Sequence, residues 1–296
     1  MRRLLAGLVV LGLVGLGVFW LMTAPKPRDM APFAGLTGDA APGERVFWAA
    51  GCASCHAAPG AKDDAVLVLA GGERFASGFG TFIAPNISTD PVQGIGGWTL
   101  DQFVHSIQDG ISPEGAHYYP AMPYTAYAKM HPQDVVNLKA FMDTLPADAT
   151  PNQPHEVGFP FNIRRTLGGW KFLFAGGDYV MTGDLSPEVT RGRYIVESLA
   201  HCGECHTPRN PLGGLTTSRW LGGAATPDGK AKVPNITPAV LTWEPDEIFD
   251  YLTTGFTPEF DVVGGPMAHV VENMARLPEE DVWAIVAYLR SVPPVP

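Results

Sequence analysis

Cys52-Ala53-Ser54-Cys55-His56 and Cys202-Gly203-Glu204-Cys205-His206 are the two stretches on which this chain turns. Together they use all four of its cysteines. Two thiols three residues apart can each add to one vinyl group of a haem. The histidine that follows then lies under the iron as an axial ligand. A structural disulfide or a thioredoxin-like redox pair explains the cysteines but not a histidine after each pair. A zinc site would have to be completed across two distant motifs. The expected cofactors are therefore two covalently attached haem c groups, held by Cys52, Cys55 and His56 and by Cys202, Cys205 and His206.

The motifs sit in a diverged internal repeat. Gly43-Glu44-Arg45-Val46-Phe47 precedes the first and Arg191-Gly192-Arg193-Tyr194-Ile195 the second. Pro85-Asn86-Ile87-Ser88 then matches Pro234-Asn235-Ile236-Thr237, Trp98 matches Trp243, and Ala121-Met122-Pro123 matches Pro266-Met267-Ala268. The repeat sets the expected organisation. A membrane anchor over 4–22 is followed by a flexible linker over 23–39 and a first haem domain over 40–148. A connector rich in Pro and Gly over 149–186 leads to a second haem domain over 187–296.

Within each repeat the periodicity is helical. Leu100, Phe103, Val104 and Ile107 share one face, Thr99 with Gln102 forms a capping box, and Gly110 is placed to stop the helix. Val135, Leu138, Phe141, Met142 and Leu145 mark a helix with Pro132 in its first turn. Val282, Ile285, Val286 and Leu289 repeat the pattern near the C-terminus. No run reads as a sheet.

Residues Leu4 to Met22 carry no charge, follow Arg2-Arg3 and end on Phe19-Trp20. An uncleaved anchor and a cleaved signal peptide compete here. The length, the aromatic edge and the lack of a small-x-small cleavage site favour the anchor. With the arginines held inside, the expected location is the bacterial inner membrane, single-pass, with the haem domains on the periplasmic side. The formal net charge of -10 argues against nucleic acid as a partner and suits a basic surface on a redox protein.

Nine methionines compete to be the sixth ligands. Met122 and Met267 lie in matching loops, 66 and 61 residues beyond His56 and His206. Met130 and Met274 are their rivals. A thioether favours ferrous iron and raises the potential. The expected iron ligands are thus His56 with Met122 and His206 with Met267. Further contacts are open. Asn86 and Asn235 either bond a propionate or the backbone around a ligand, or simply form turns. Trp98 and Trp243 either line a haem edge or fill the core. Arg209 either pairs with a propionate or faces solvent. The other six histidines have no ligand context.

Tyr118-Tyr119-Pro120-Ala121-Met122-Pro123-Tyr124, Cys205-His206-Thr207-Pro208-Arg209-Asn210 and Gly265-Pro266-Met267 resemble the membrane-associated multihaem cytochrome c subunits of bacterial alcohol, aldehyde and gluconate dehydrogenases. The connector's Trp170-Lys171-Phe172-Leu173-Phe174 carries the same likeness. The repeat, the helical periodicity and the leading apolar segment together give the expected fold class: mainly α, with an N-terminal transmembrane helix followed by two class I cytochrome c-like domains. The resemblance implies axial roles for Met122 and Met267. The chain departs from that family in having two haem motifs where three are typical, and in leading with its hydrophobic segment.

The expected function is a membrane-anchored dihaem cytochrome c that relays electrons. The donor would be a quinol-oxidising complex or a periplasmic dehydrogenase, and the acceptor a terminal oxidase or another carrier. The alternatives are a dedicated subunit of an alcohol/aldehyde-type dehydrogenase, a dihaem peroxidase, and a structural component of a respiratory complex. With both irons six-coordinate, the chain reads as an electron-transfer protein, not an enzyme on its own.

Overall fold

The computed structural model describes residues 1–296. Its first element, α1 (Arg2–Met22), buries none of its side chains in the protein. An apolar helix satisfies its own backbone, so it can be surrounded by lipid at no hydrogen-bonding cost.

In the first half, α2 (Ala40–Ala49) starts where Asp39 accepts a hydrogen bond from the Ala41 N–H. The short α3 (Cys52–His56) follows at once. A hairpin of β1 (Arg74–Ser77) and β2 (Gly80–Ile83) pairs Arg74 with Ile83. Then comes α4 (Leu100–Val104), begun by the expected Thr99–Gln102 capping box and extended by a π turn over His105–Asp109. Gly110 ends it in the left-handed region. The half closes with α5 (Tyr124–Tyr127) and α6 (Pro132–Met142), the latter with proline in its first turn. The connector contains α7 (Thr166–Phe174).

The second half repeats the order. It contains α8 (Pro187–Tyr194), α9 (Gly203–His206), the small hairpin β3 (Ala224–Ala225) and β4 (Lys232–Val233), α10 (Pro245–Thr254), α11 (Pro266–Met274) and α12 (Glu279–Ser291). The two hairpins correct the expectation that no strand forms. Each is too short for periodicity to reveal it.

In each half the first helix crosses the last at a glycine. A Cβ on Gly43 would run into the Asn137 carbonyl and the Phe141 Cβ; one on Gly192 would meet the Ala284 carbonyl and the Tyr288 Cβ. Glycine lets the backbones touch there. Cys52 comes nine positions after Gly43, and Cys202 comes ten positions after Gly192. The additional residue is taken up by a π turn over Ile195–Leu199, closed by Ala200 N–H donating to the Ile195 carbonyl. His201 then adopts the left-handed conformation that Gly51 has in the first half.

One continuous core of 36 buried residues joins the halves, including Phe47, Phe103 and Leu138 from the first and Ile195, Leu221 and Tyr288 from the second. The contacts are reciprocal. α5 lies on the π turn of the second half, and α11 lies on α2.

Residues 23–39, expected as a flexible linker, are held against the first half. The Arg28 guanidinium clasps Asp109 at 2.9 Å and Gln108 at 2.7 Å, Phe33 is buried, and Gln133 donates to the Thr37 carbonyl. Hydropathy could not register an attachment that rests on one buried ring and hydrogen bonds to distant residues. The connector is likewise a strap, held against both halves. Its Glu156 pairs with Thr81 and Arg74, Trp170 donates to the Leu212 carbonyl, and Lys171 donates to the carbonyls of Asp109 and Gly110. At its far end Val180 and Met181 donate their amides to the buried Glu197 carboxylate, which also accepts from the Tyr288 hydroxyl at 2.6 Å.

Candidate haem sites

α3 and α9 each carry a Cys-x-x-Cys-His motif on a single turn. No cysteine forms a disulfide, and Cys55 and Cys205 are exposed. Burial, with the neighbouring charge of Cys55, pushes the Cys52 thiol up to about 12.

The histidines are oriented identically. His56 Nδ1 lies 2.8 Å from the Pro85 carbonyl, and His206 Nδ1 lies 2.8 Å from the Pro234 carbonyl. A carbonyl only accepts, so Nδ1 carries the proton and Nε2 keeps its lone pair for a metal. Desolvation holds both imidazoles below the ordinary histidine range, against the opposing pull of those carbonyls. Neutral imidazole is the form that ligates. Two thiols and a fixed imidazole on one turn, twice, fit covalent haem.

The prolines were not singled out in the sequence, although their tetrapeptides were. Asn86 and Asn235 were, and their amides serve those loops. Asn86 donates to the carbonyls of Asp148 and Thr150 and accepts from the Ser88 N–H; Asn235 donates to the Val295 carbonyl and accepts from the Thr237 N–H. Each asparagine ties the loop that presents the proline carbonyl to the chain end of its own half. The repeated Pro-Asn-Ile pattern was the available signal.

Met122 and Met267 are half-buried at the edge of the core, whereas Met130 and Met274 are each 3% exposed and packed within it. Met122 lies in a turn before α5, as expected. Met267 does not lie in a loop but in the first turn of α11, after Pro266. Trp98 is half-buried, and Trp243 is half-buried against Tyr251 with ring centroids 5.2 Å apart. Arg209, left open between a propionate and solvent, pairs with Glu204 and donates to the Gly213 carbonyl. The remaining histidines engage protein groups. Among them, His105 meets Asp109 at 3.0 Å, His117 meets the Thr23 carbonyl at 2.9 Å, and His155 accepts from the Ile83 N–H.

Two helical domains, each bringing a Cys-x-x-Cys-His turn against a carbonyl-fixed histidine, define a c-type cytochrome with two haem centres. Residues 40–146 match the cytochrome c family model, and residues 187–289 match that of cytochrome c oxidase, cbb3-type, subunit III. The chain is 55% identical over 294 residues to the diheme cytochrome c-type protein of Cereibacter sphaeroides, a match covering 99% of each. It is 40% identical over 277 residues to the fructose dehydrogenase cytochrome subunit of Gluconobacter japonicus, covering 90% of this chain and 55% of that one. To the cytochrome c subunit of the quinone alcohol dehydrogenase of Gluconobacter oxydans it is 33% identical over 269 residues, covering 86% and 55%. It thus spans about half the length of these two dehydrogenase subunits. The chain belongs to the dihaem c-type cytochromes.

It carries two covalently attached haem c groups and is an electron-transfer protein. The single helix long and apolar enough to cross a membrane anchors it in the inner membrane, with the haem domains on the periplasmic side.

Proposed function

We propose that the chain is a two-step relay whose haem-bearing units, 40–148 and 187–296, exchange electrons with each other across their shared interface. His56 with Met122 and His206 with Met267 are the ligand pairs of this reading. The accessibility of Met122 and Met267 supports it, because a thioether sealed in the core, like that of Met130 or Met274, would have to unpack to reach iron. When bound, haem supplies a one-electron couple. The polypeptide fixes the ligands, shields them from water and sets the distance between the two centres.

The observation that carries the relay is that each attachment motif is held by a helix of the other half. Asn273 of α11 donates to Ser54 inside the first motif, and Thr125 of α5 donates to Glu204 inside the second. Electron tunnelling weakens steeply with distance, so attachment motifs each held against the opposite half favour internal transfer.

The donor in this reading is a periplasmic dehydrogenase or a quinol-oxidising complex, and the acceptor is a terminal oxidase or another carrier. Similarity to dehydrogenase cytochrome subunits supports the first, and the match of 187–289 to an oxidase subunit model supports the second. A second reading, a dedicated dehydrogenase subunit, is favoured by those same dehydrogenase relatives. Extraction of the full chain from membranes in mild detergent, with identification of what stays bound, separates them. A stoichiometric dehydrogenase supports the dedicated subunit. A chain that purifies alone and is reoxidised by oxidase-containing membranes supports the relay. A chain that neither accepts nor passes electrons in such membranes refutes both.

A further inference from the structure

The helical strap between the haem domains lies where the anchor leaves the bilayer. Arg165 donates to the Trp20 carbonyl and its guanidinium stands over the Trp20 ring, 4.6 Å from the centroid. Gly168 is pressed against Thr23 so closely that a Cβ would strike the Thr23 backbone, and Gly169 faces the Phe19 ring. Thr23 itself is buried, its carbonyl facing His117. Phe19 and Trp20 are the aromatic edge of the transmembrane helix, the level at which rings sit among headgroups. Whatever touches them stands at that level too.

Arg165, Gly168, Gly169 and Phe172 fall at i, i+3, i+4 and i+7, one stripe along α7. The first three face the end of α1 and the Thr23 that caps it. The fourth continues the stripe away from α1 and is 76% exposed, with its neighbour Leu173 at 62%. Residues 157–177 contain four phenylalanines and a tryptophan, three basic residues and no Asp or Glu, in a chain with 30 acidic residues. Apolar rings with basic residues and no acid suit a segment lying in an interface.

We propose that α7 is a second membrane contact: Phe172 and Leu173 enter the headgroup and upper acyl region of the periplasmic leaflet beside α1. The occupant is lipid because this surface is continuous with the anchor at its point of exit. Together with Arg28 on Asp109, the contact gives the haem domains a fixed orientation on the bilayer in place of free swing on a tether.

The test uses the full holoprotein in vesicles of phosphatidylcholine and phosphatidylglycerol that carry a diazirine on a shallow acyl carbon. After irradiation, labelled peptides are mapped by mass spectrometry. The proposal expects label on α1 and on the peptide holding Phe172 and Leu173, and none at Phe260, which is 85% exposed on the second domain. In Phe172→Asp/Leu173→Asp the α7 label should be lost, while the α1 label and both haem spectra persist. Label confined to α1 overturns the proposal, as does equal label at Phe260. Protection of α7 that appears only on adding a membrane protein extract also overturns it, in favour of a protein partner.

Discussion

Asn273 Nδ2 donates to Ser54 Oγ at 2.8 Å, a bond spanning 219 residues of sequence and joining the methionine-bearing helix of the second domain to the first attachment turn. Asn273 is buried, and Arg276, three residues on, lies over the Trp48 ring at 4.1 Å. The contact is therefore part of the shared core and not a touch between separate bodies. It ties the mutual position of the two attachment motifs to the stability of the whole.

Replacing Asn273 with Ala should cost about 1 kcal/mol, the usual net worth of a hydrogen bond. It should also slow electron equilibration between the haems. Urea unfolding and pulse radiolysis check the two effects. Normal equilibration in a destabilised variant would show that the bond holds the fold but not the relay.

Met122→Ala should remove the weak far-red methionine–iron band of one centre, lower that centre's potential and leave the other alone. Met267→Ala should do the same for the other haem. A redox titration of each variant checks this. An unchanged pair of potentials would move the sixth ligands to the buried Met130 and Met274.

Gly192→Ala should destabilise the second domain by roughly 1–3 kcal/mol, because the added methyl overlaps the Ala284 carbonyl across a packed helix crossing. The same change at Gly60, which has open space around it, removes that clash and leaves only the left-handed backbone to strain. Thermal unfolding of both variants separates close approach from glycine's backbone freedom.

Burial lowers the Lys171 ammonium to about 8, only partly offset by Asp109. Its pKa is depressed on folding, so between about pH 8 and the unfolded value near 10.4 the unfolded chain holds more protons, and stability rises with pH there. The wild type should gain stability relative to Lys171→Met across that window and show a constant difference below it. Melting followed by circular dichroism from pH 7 to 10 checks the sign.

The attachment turns, the repeat, the Thr99 capping box and the core faces of α6 and α12 were legible in the sequence because each is local. A thiol pair and its histidine, a hydroxyl three residues from an amide, and a 3.6-residue period are all written within one or two turns. What depended on distant partners was not legible. Pro85 and Pro234 act through backbone carbonyls, which no side chain announces. The short hairpins fall below any periodicity.

The extra residue before Cys202 is visible in the spacing, but only packing decided that a π turn would absorb it. The closest parallel is residues 23–39, where composition suggests a tether and Arg28, reaching Asp109 eighty-one residues away, helps to hold the segment down. Sequence alone thus determined the cofactors and the elements that carry them. The mutual placement of the two centres, and of both on the anchor, came from tertiary contacts, because long-range hydrogen bonds and close backbone crossings leave no local pattern to read.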